Sequence, residues 1–135
     1  VMHLLELIDS EDDHSLSPSA RRRMVDRARE YALAHPERPI NILELCNQIG
    51  ASRRKLQYCF QEALGINPVA YLRTIRLNAV HRQLRHATAG DSVQSIAANW
   101  GFWHLSRFAS DYRQLFGCKP SETLRQARQH CAENG

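Results

Sequence analysis

An internal repeat is the feature that most constrains the fold of this 135-residue chain. Residues 44–73 read ELCNQIGASRRKLQYCFQEALGINPVAYLR, and residues 95–125 read SIAANWGFWHLSRFASDYRQLFGCKPSETLR. The copies align with an offset of 51 before the central turn and 52 after it, because the second turn has one extra residue. The matched pairs after the turn are Leu56 and Phe108, Phe60 and Tyr112, Leu64 and Phe116, Gly65 and Gly117, and Pro68 and Pro120. Two copies of one supersecondary unit are therefore expected.

Each copy consists of a short helix, a glycine-containing turn and a longer helix. Apolar residues recur at the helical period of about 3.6 residues in almost every segment, and no alternating strand pattern occurs. The chain is therefore predicted to be all-α, with about seven helices that are too short to be stable unless they pack together. The order within each copy is that of a helix-turn-helix, whose second helix enters the major groove of DNA.

Turn and capping residues mark the predicted helix ends. The predicted N-caps are Ser17 followed by Pro18, Asn41 paired with Glu44, Ser52, and Asp91. The predicted stops are Pro36, Gly50, Gly65, Gly101 and Gly117. A long helix is predicted from Pro68 through about Arg85. The last helix is predicted to begin at Pro120 and to fray near His130, and residues 1–17 are expected to be a tail.

Aromatic residues are concentrated in the second copy, between residues 100 and 117. The predicted core stripe there consists of Phe102, Leu105, Phe108, Tyr112 and Phe116. Because this stripe matches Leu56, Phe60 and Leu64 in the first copy, it is interpreted as core and not as a cofactor pocket. Trp100 is also expected in the core, whereas Trp103 is expected to be partly exposed, beside DNA phosphates.

The charge distribution points to a polyanionic partner. The chain carries a formal charge of +4, with 18 basic and 14 acidic residues. Five of the acids lie in residues 1–14, which hold no base, so residues 15–135 carry 18 bases and 9 acids, or +9. A compact domain with this charge is typical of a protein that binds nucleic acid.

The exposed face of each longer helix is the candidate DNA-binding site. In the first copy this face carries Arg53, Arg54, Gln57, Tyr58 and Gln61, and in the second His104, Ser106, Arg107 and Ser110, with Asp111 beside them. Arg and Gln pair bidentately with the edges of guanine and adenine, whereas Ser and His contact bases or phosphates less specifically. A merely solvated surface is the alternative, which the lack of Glu and Lys at these positions disfavours.

Other function classes have weaker support. A helical protein–protein module, for example one that contacts RNA polymerase, stays open as an alternative. Catalytic combinations such as Ser-His-Asp or Cys-His are absent at helical contact spacing, and no C-x-x-C occurs, so neither an enzyme nor a metal site is expected. The cysteines Cys46, Cys59, Cys118 and Cys131 are interpreted as small buried residues in a reducing cytoplasm. No run of about eighteen apolar residues occurs, so no membrane helix is expected.

These motifs resemble the DNA-binding domain of the AraC/XylS family of bacterial transcription regulators. The resemblance covers residues 20–128 and includes the Gly-Phe, hydrophobic-Ser-x-Phe and Phe-Gly-x-x-Pro pattern of the second copy. It implies two helix-turn-helix subdomains, residues 18–67 and 91–128, joined by a linker helix over 68–85 and followed by a tail over 129–135. It also implies a missing N-terminal effector domain and a cytoplasmic protein, with no cofactor in this part of the chain.

The resemblance also implies roles for single residues. Base readers of relatives match Arg54, Gln57 and Tyr58 in the first copy and Ser106, Arg107 and Ser110 in the second, although some members have Arg in place of Ser110. The segments SRRKLQ, TIRLNAV and WGFWHLSRFASDY are similar to regulators of ethanolamine utilisation. That likeness implies an activator that senses ethanolamine and adenosylcobalamin through the missing domain.

Overall fold

The computed structural model describes residues 16–134, and every element in that range is a helix. The helices are α1 Pro18–Ala34, α2 Ile42–Ile49, α3 Arg53–Leu64, α4 Pro68–Arg85, α5 Val93–Asn99, α6 Leu105–Phe116 and α7 Pro120–Asn134. The predicted all-α double helix-turn-helix class is confirmed. The tail predicted for residues 1–17 lies outside the described residues, except for Leu16 and Ser17.

The described residues form two compact units. The first consists of residues 16–35 and 40–73, and the second of residues 36–39 and 74–134. The boundary falls within α4, between Arg73 and Thr74. Each unit therefore has its own helix-turn-helix: α2 and α3 in the first, α5 and α6 in the second.

The core of the first unit is built where α1, α2, α3 and the start of α4 meet. Its buried members are Val25, Ala28, Ala32, Leu45, Cys46, Ile49, Leu56, Phe60 and Leu72. Phe60 is completely buried and packs edge-on against Tyr71, with ring centroids 5.2 Å apart. The apolar stripes of these helices thus bury against one another, which supplies stability that no single short helix has.

The core of the second unit uses the matching positions with larger aromatic side chains. Its buried members are Leu77, Val80, Leu84, Ala87, Ile96, Ala97, Phe108, Tyr112 and Leu124. Phe102, Phe116 and Trp100 are partly buried and pack against this cluster. The predicted core role of the aromatic cluster is therefore confirmed for these residues and for Phe108 and Tyr112.

The core prediction is wrong for one member of the stripe, Leu105. Leu105 is 39% exposed, although it has the helical spacing of the core residues. It is the first residue of α6, and its match in the first unit is Arg53, which is also exposed. Within α6 the buried stripe therefore begins at Phe108, one turn inside the helix.

The predicted helix ends hold with two corrections. Ser17, Asn41 and Ser52 cap their helices, but α5 is capped by Ser92 and not by Asp91. Asp91 instead accepts a hydrogen bond from the Thr88 backbone N–H at 2.9 Å, which closes the preceding loop. The last helix continues through Asn134 instead of fraying near His130, because after Pro120 at its first position its sequence contains no Gly or Pro before Gly135.

The prediction for the cysteines is only partly right. Cys46 and Cys59 are buried, whereas Cys118 is half-buried and Cys131 is exposed. Cys131 lies in the last turn of α7. In the described part of the chain, no helix is long and apolar enough to cross a membrane.

Substitution of Phe108 tests the core of the second unit. Phe108→Ala removes a side chain that is 2% exposed, so we expect a loss of about 3–5 kcal/mol in unfolding free energy through cavity formation. Both tryptophans, Trp100 and Trp103, lie in this unit, so denaturant unfolding followed by their fluorescence reports on it directly. Leu115→Ala is the control, because Leu115 lies on the same helix and is 45% exposed. Equal midpoints for the two variants would contradict the assigned core.

Candidate nucleic-acid interface

The first recognition helix, α3, is fixed in place by its cap and its core contacts. The Ser52 hydroxyl accepts a hydrogen bond from the Lys55 backbone N–H at 3.1 Å. On the inner side of the helix, Leu56, Cys59 and Phe60 are fully buried. These contacts set the rotation of α3 about its axis, and so they determine which side chains face outward.

The predicted reading residues of α3 lie on the outward side. Arg53, Arg54, Gln57 and Gln61 are exposed, and Tyr58 is half-buried. Four of the five can therefore reach a ligand without any change in the core. Their assignment to individual DNA contacts stays a prediction.

A groove of about 380 Å³ runs beside this face in the first unit. Arg53 and Gln57 line it from α3, and Arg73 lines it from α4. Its remaining wall is formed by Ile42 and the start of α4. The groove is thus polar and cationic on the side of the recognition helix, as expected of a surface that follows a DNA strand.

The second recognition helix, α6, is held by a larger aromatic contact set. Phe108 and Tyr112 are buried, and Tyr112 packs against Phe116 with ring centroids 4.6 Å apart. His104 occupies the N-cap position but makes no side-chain capping hydrogen bond. The predicted reading residues His104, Ser106, Arg107 and Ser110 are all exposed.

A hydrogen-bonded chain anchors α6 from inside the second unit. The buried Tyr112 hydroxyl lies 2.8 Å from His81 Nδ1 and 2.8 Å from Thr123 Oγ1. Burial raises the pKa of Tyr112, and the hydrogen bond with Thr123 opposes part of that shift. Burial lowers the pKa of His81, and the charge of Arg85 lowers it further, so His81 is neutral at pH 7. These hydrogen bonds therefore join α6 to α4 and α7 without a buried charge.

The turn before α6 is supported by a buried arginine. Arg76 is 8% exposed, and its Nη2 donates to the carbonyl oxygen of Arg38 at 2.6 Å. Its Nη1 lies only 3.1 Å from the place where a Cβ would stand on Gly101, whose φ is +80°. Sequence reasoning missed Arg76, because its partners lie far away in the chain.

The matching positions of the two units reveal further candidate residues. The outward face of α3 maps, with the offset of 52, onto Leu105, Ser106, Ala109, Ser110 and Arg113. Leu105, Ala109 and Arg113 were missed, since apolar or late-helix residues do not look like DNA contacts. All three line a groove of about 820 Å³ in the second unit. The repeat alignment was the signal that could have found them.

Cations cluster where helix dipoles already favour anions. The first turn of α3 carries Arg53, Arg54 and Lys55, and no acidic residue. A helix N-terminus has a partial positive charge, so cations there oppose helix formation but strengthen the attraction for phosphate. This arrangement fits a polyanion that runs past the start of the recognition helix.

The described residues offer little that resembles a reaction centre. Burial raises the pKa of the Cys46 thiol, while the charge of Arg53 offsets part of the shift, so this cysteine is a protonated thiol. No group of three or more His, Cys, Asp or Glu side chains within residues 16–134 is placed to hold a metal ion.

Comparison with known protein families gives a match over both recognition helices. The family described as "Helix-turn-helix domain" matches residues 45–126. A probable thc operon regulatory protein of Rhodococcus erythropolis is 40% identical over 103 residues, which cover 76% of this chain. The XylDLEGF operon transcriptional activator of Pseudomonas putida is 32% identical over 130 residues, or 96% of this chain. The aligned regions span only 31% and 40% of these two relatives.

Solved structures with the same fold include one with clear sequence similarity. A probable AraC family transcriptional regulator from Rhodopseudomonas palustris CGA009 superposes with a TM-score of 0.69 and 38% identity. The match covers 78% of this chain and 97% of that one. The DNA-binding domain of AdpA, solved in complex with a target DNA, has a TM-score of 0.69 at 23% identity, which shows a common fold. That match covers 79% of this chain and 94% of the AdpA chain.

A pair of glycine substitutions tests how closely Arg76 supports the second turn. Gly50→Ala and Gly101→Ala both place a side chain at a left-handed φ, +74° and +80°, which costs about 1 kcal/mol or more. Nothing lies within 4 Å of the added Cβ at Gly50, whereas Gly101 meets Arg76 and the Pro36 carbonyl. We expect Gly101→Ala to lower the unfolding free energy more than Gly50→Ala, measured by circular dichroism in denaturant. Equal losses would mean that Arg76 moves aside freely.

Proposed function

The chain belongs to the AraC/XylS family of transcription regulators, and we propose that it binds a specific duplex operator through both recognition helices. In this proposal α3 and α6 enter successive segments of the major groove. The reading residues are Arg53, Arg54, Gln57, Tyr58 and Gln61 on α3, and His104, Ser106, Arg107 and Ser110 on α6. The phosphate backbone supplies most of the attraction, and these side chains supply the choice of sequence.

One observation carries the proposal: each unit exposes the same outward face on the second helix of its helix-turn-helix. The core residues of both helices are buried at matched positions, for example Phe60 and Tyr112. Polar and cationic side chains occupy most of the opposite face, and residues 15–135 carry a charge of +9. A rigid helix with this face is suited to the width of the major groove.

We propose a cytoplasmic regulator, with an activator's role, as in the name of the Pseudomonas putida relative. The domain would contact RNA polymerase as well as DNA, and an effector would act through a part of the protein outside this chain. The ethanolamine and adenosylcobalamin assignment belongs to this proposal and rests on the likeness of short segments alone.

Selection of binding sites from random duplexes tests the proposal directly. The chain is mixed with a random duplex pool, bound duplexes are recovered and sequenced, and binding is then titrated at several salt concentrations. A shared sequence with two separate conserved blocks supports the proposal. For a protein–protein module without DNA affinity, the selection would yield no shared sequence, and no salt-dependent binding to duplex DNA would be measured.

Arg54 and Arg73 separate sequence reading from phosphate anchoring. Arg54 is exposed in the first turn of α3, so its guanidinium can pair with a guanine edge. We expect Arg54→Ala to weaken binding to the selected duplex by about 1–3 kcal/mol and to relax the base preference at one position of the site. Arg73 lies off the recognition helix, so Arg73→Ala should reduce the affinity for selected and scrambled duplexes equally. It should also reduce the log–log salt slope by about 1.

Two outcomes would contradict this division. If Arg54→Ala reduces the affinity for both duplexes by the same factor, Arg54 contacts phosphate and not a base, and the reading face of α3 is misassigned. If Arg73→Ala leaves the salt slope unchanged but lowers the midpoint of unfolding, Arg73 holds the first unit together and does not contact phosphate. Titration at a minimum of three salt concentrations distinguishes these cases.

The spacing of the two sequence blocks provides an independent test. Insertion of about 5 bp, half a helical turn, rotates one block to the opposite side of the duplex. We expect affinity for the selected site to fall sharply, towards that of a duplex with one block. Insertion of a full turn, about 10 bp, is the matched control for distance without rotation. Unchanged affinity after the 5-bp insertion would mean that only one unit reads the sequence.

A further inference from the structure

The two units build the same groove with different chemistry. In each unit the groove lies beside the recognition helix and the N-terminus of the helix that follows it. The matched lining pairs are Ile42 and Val93, Arg53 and Leu105, Gln57 and Ala109, Asn67 and Lys119, Pro68 and Pro120, and Val69 and Ser121. The repeat therefore holds the position of the groove constant while two residues of the recognition helix change from polar to apolar.

These two substitutions create an apolar strip on the outward side of α6. Leu105 and Ala109 are four residues apart, so they lie one above the other on the helix. Both line the groove of about 820 Å³, together with Val93 and Phe108. Leu105 is 39% exposed, so a large part of its side chain is available for contact.

The charges around the strip favour DNA over an apolar partner. Arg113 and Lys119 line the same groove, and none of its described lining residues is acidic. Ser106 and Ser110, which belong to the proposed reading face, lie next to the strip on the same helix. An occupant with an apolar group close to negative charges matches this surface.

Thymine in duplex DNA has this combination. Its 5-methyl group is the apolar feature that base edges present in the major groove, and apolar side chains such as Ala recognise it by contact. The phosphates of the same strand lie beyond the base edges, where cations at the rim can meet them. Neither Leu nor Ala can form the hydrogen bonds by which Arg53 and Gln57 would read a base.

We propose that Leu105 and Ala109 form a subsite for the 5-methyl group of thymine, so that the second unit adds apolar contact to the sequence reading by the polar residues of α6. The inference rests on the proposed function and names the chemistry of one part of it. The first unit reads hydrogen-bonding edges alone, whereas the second unit also reads methyl groups, with Arg113 and Lys119 on the phosphates beside them.

Replacement of thymine by deoxyuridine tests this subsite, because it removes only the methyl group. Each thymine of the selected duplex is replaced in turn, and the affinity of the full chain is measured by fluorescence anisotropy. We expect at least one replacement to weaken binding about fourfold, the factor that corresponds to one buried CH₂-sized group. In Leu105→Ala this loss should fall below about twofold, because the contact is already gone.

A matched variant controls for general effects. Leu115→Ala removes another exposed leucine from the far end of α6, outside the groove, and should keep the full deoxyuridine effect. Circular dichroism checks that both variants fold. The inference is overturned if no replacement changes the affinity, or if Leu105→Ala responds to deoxyuridine as the unaltered chain does. If the chain binds every duplex alike, the proposed function fails as well.

Discussion

The buried aromatic side chain near the middle of each recognition helix is the interaction on which the rest of each unit depends. Phe60 in α3 and Tyr112 in α6 are both completely buried at matched positions. A helix that buries such a residue cannot rotate about its axis without opening a large cavity, which proteins tolerate poorly. The direction of every exposed side chain on the helix follows from this one contact. In the second unit, the hydrogen bonds of Tyr112 with His81 and Thr123 restrict the rotation further.

Much of this arrangement could be predicted, because the repeat tests each assignment twice. The same reasoning explains the error at Leu105. A leucine at the first position of α6 fits the apolar period as well as a core residue does, so periodicity alone could not exclude it. Its partner in the alignment, Arg53, indicates that this position faces outward. The match between copies is therefore better evidence for the face of a helix than hydrophobicity within one copy.

Other features depend on contacts that a linear pattern does not contain. Asp91 and Ser92 are adjacent residues that can both cap a helix, and the choice of Ser92 follows from the hydrogen bonds that Asp91 makes with Thr88. The hydrogen bond from Arg76 to Arg38 joins residues 38 positions apart, and no local signal announces it. The candidate reading residues were easier to predict, since exposure of one helix face follows from burial of the other.

The starts of the two recognition helices depart from the usual residue preferences at helix N-termini. Side-chain caps are present at the starts of four helices, where Ser17, Asn41, Ser52 and Ser92 accept backbone hydrogen bonds. The first turn of α3 nevertheless carries three cations and no acid, and His104, the N-cap residue of α6, makes no side-chain capping hydrogen bond. Each such departure costs a few tenths of a kcal/mol to about 1 kcal/mol in helix stability. A phosphate next to these N-termini would supply the missing negative charge. The helix starts that are least stable in the isolated domain are therefore the ones that bound DNA would stabilise.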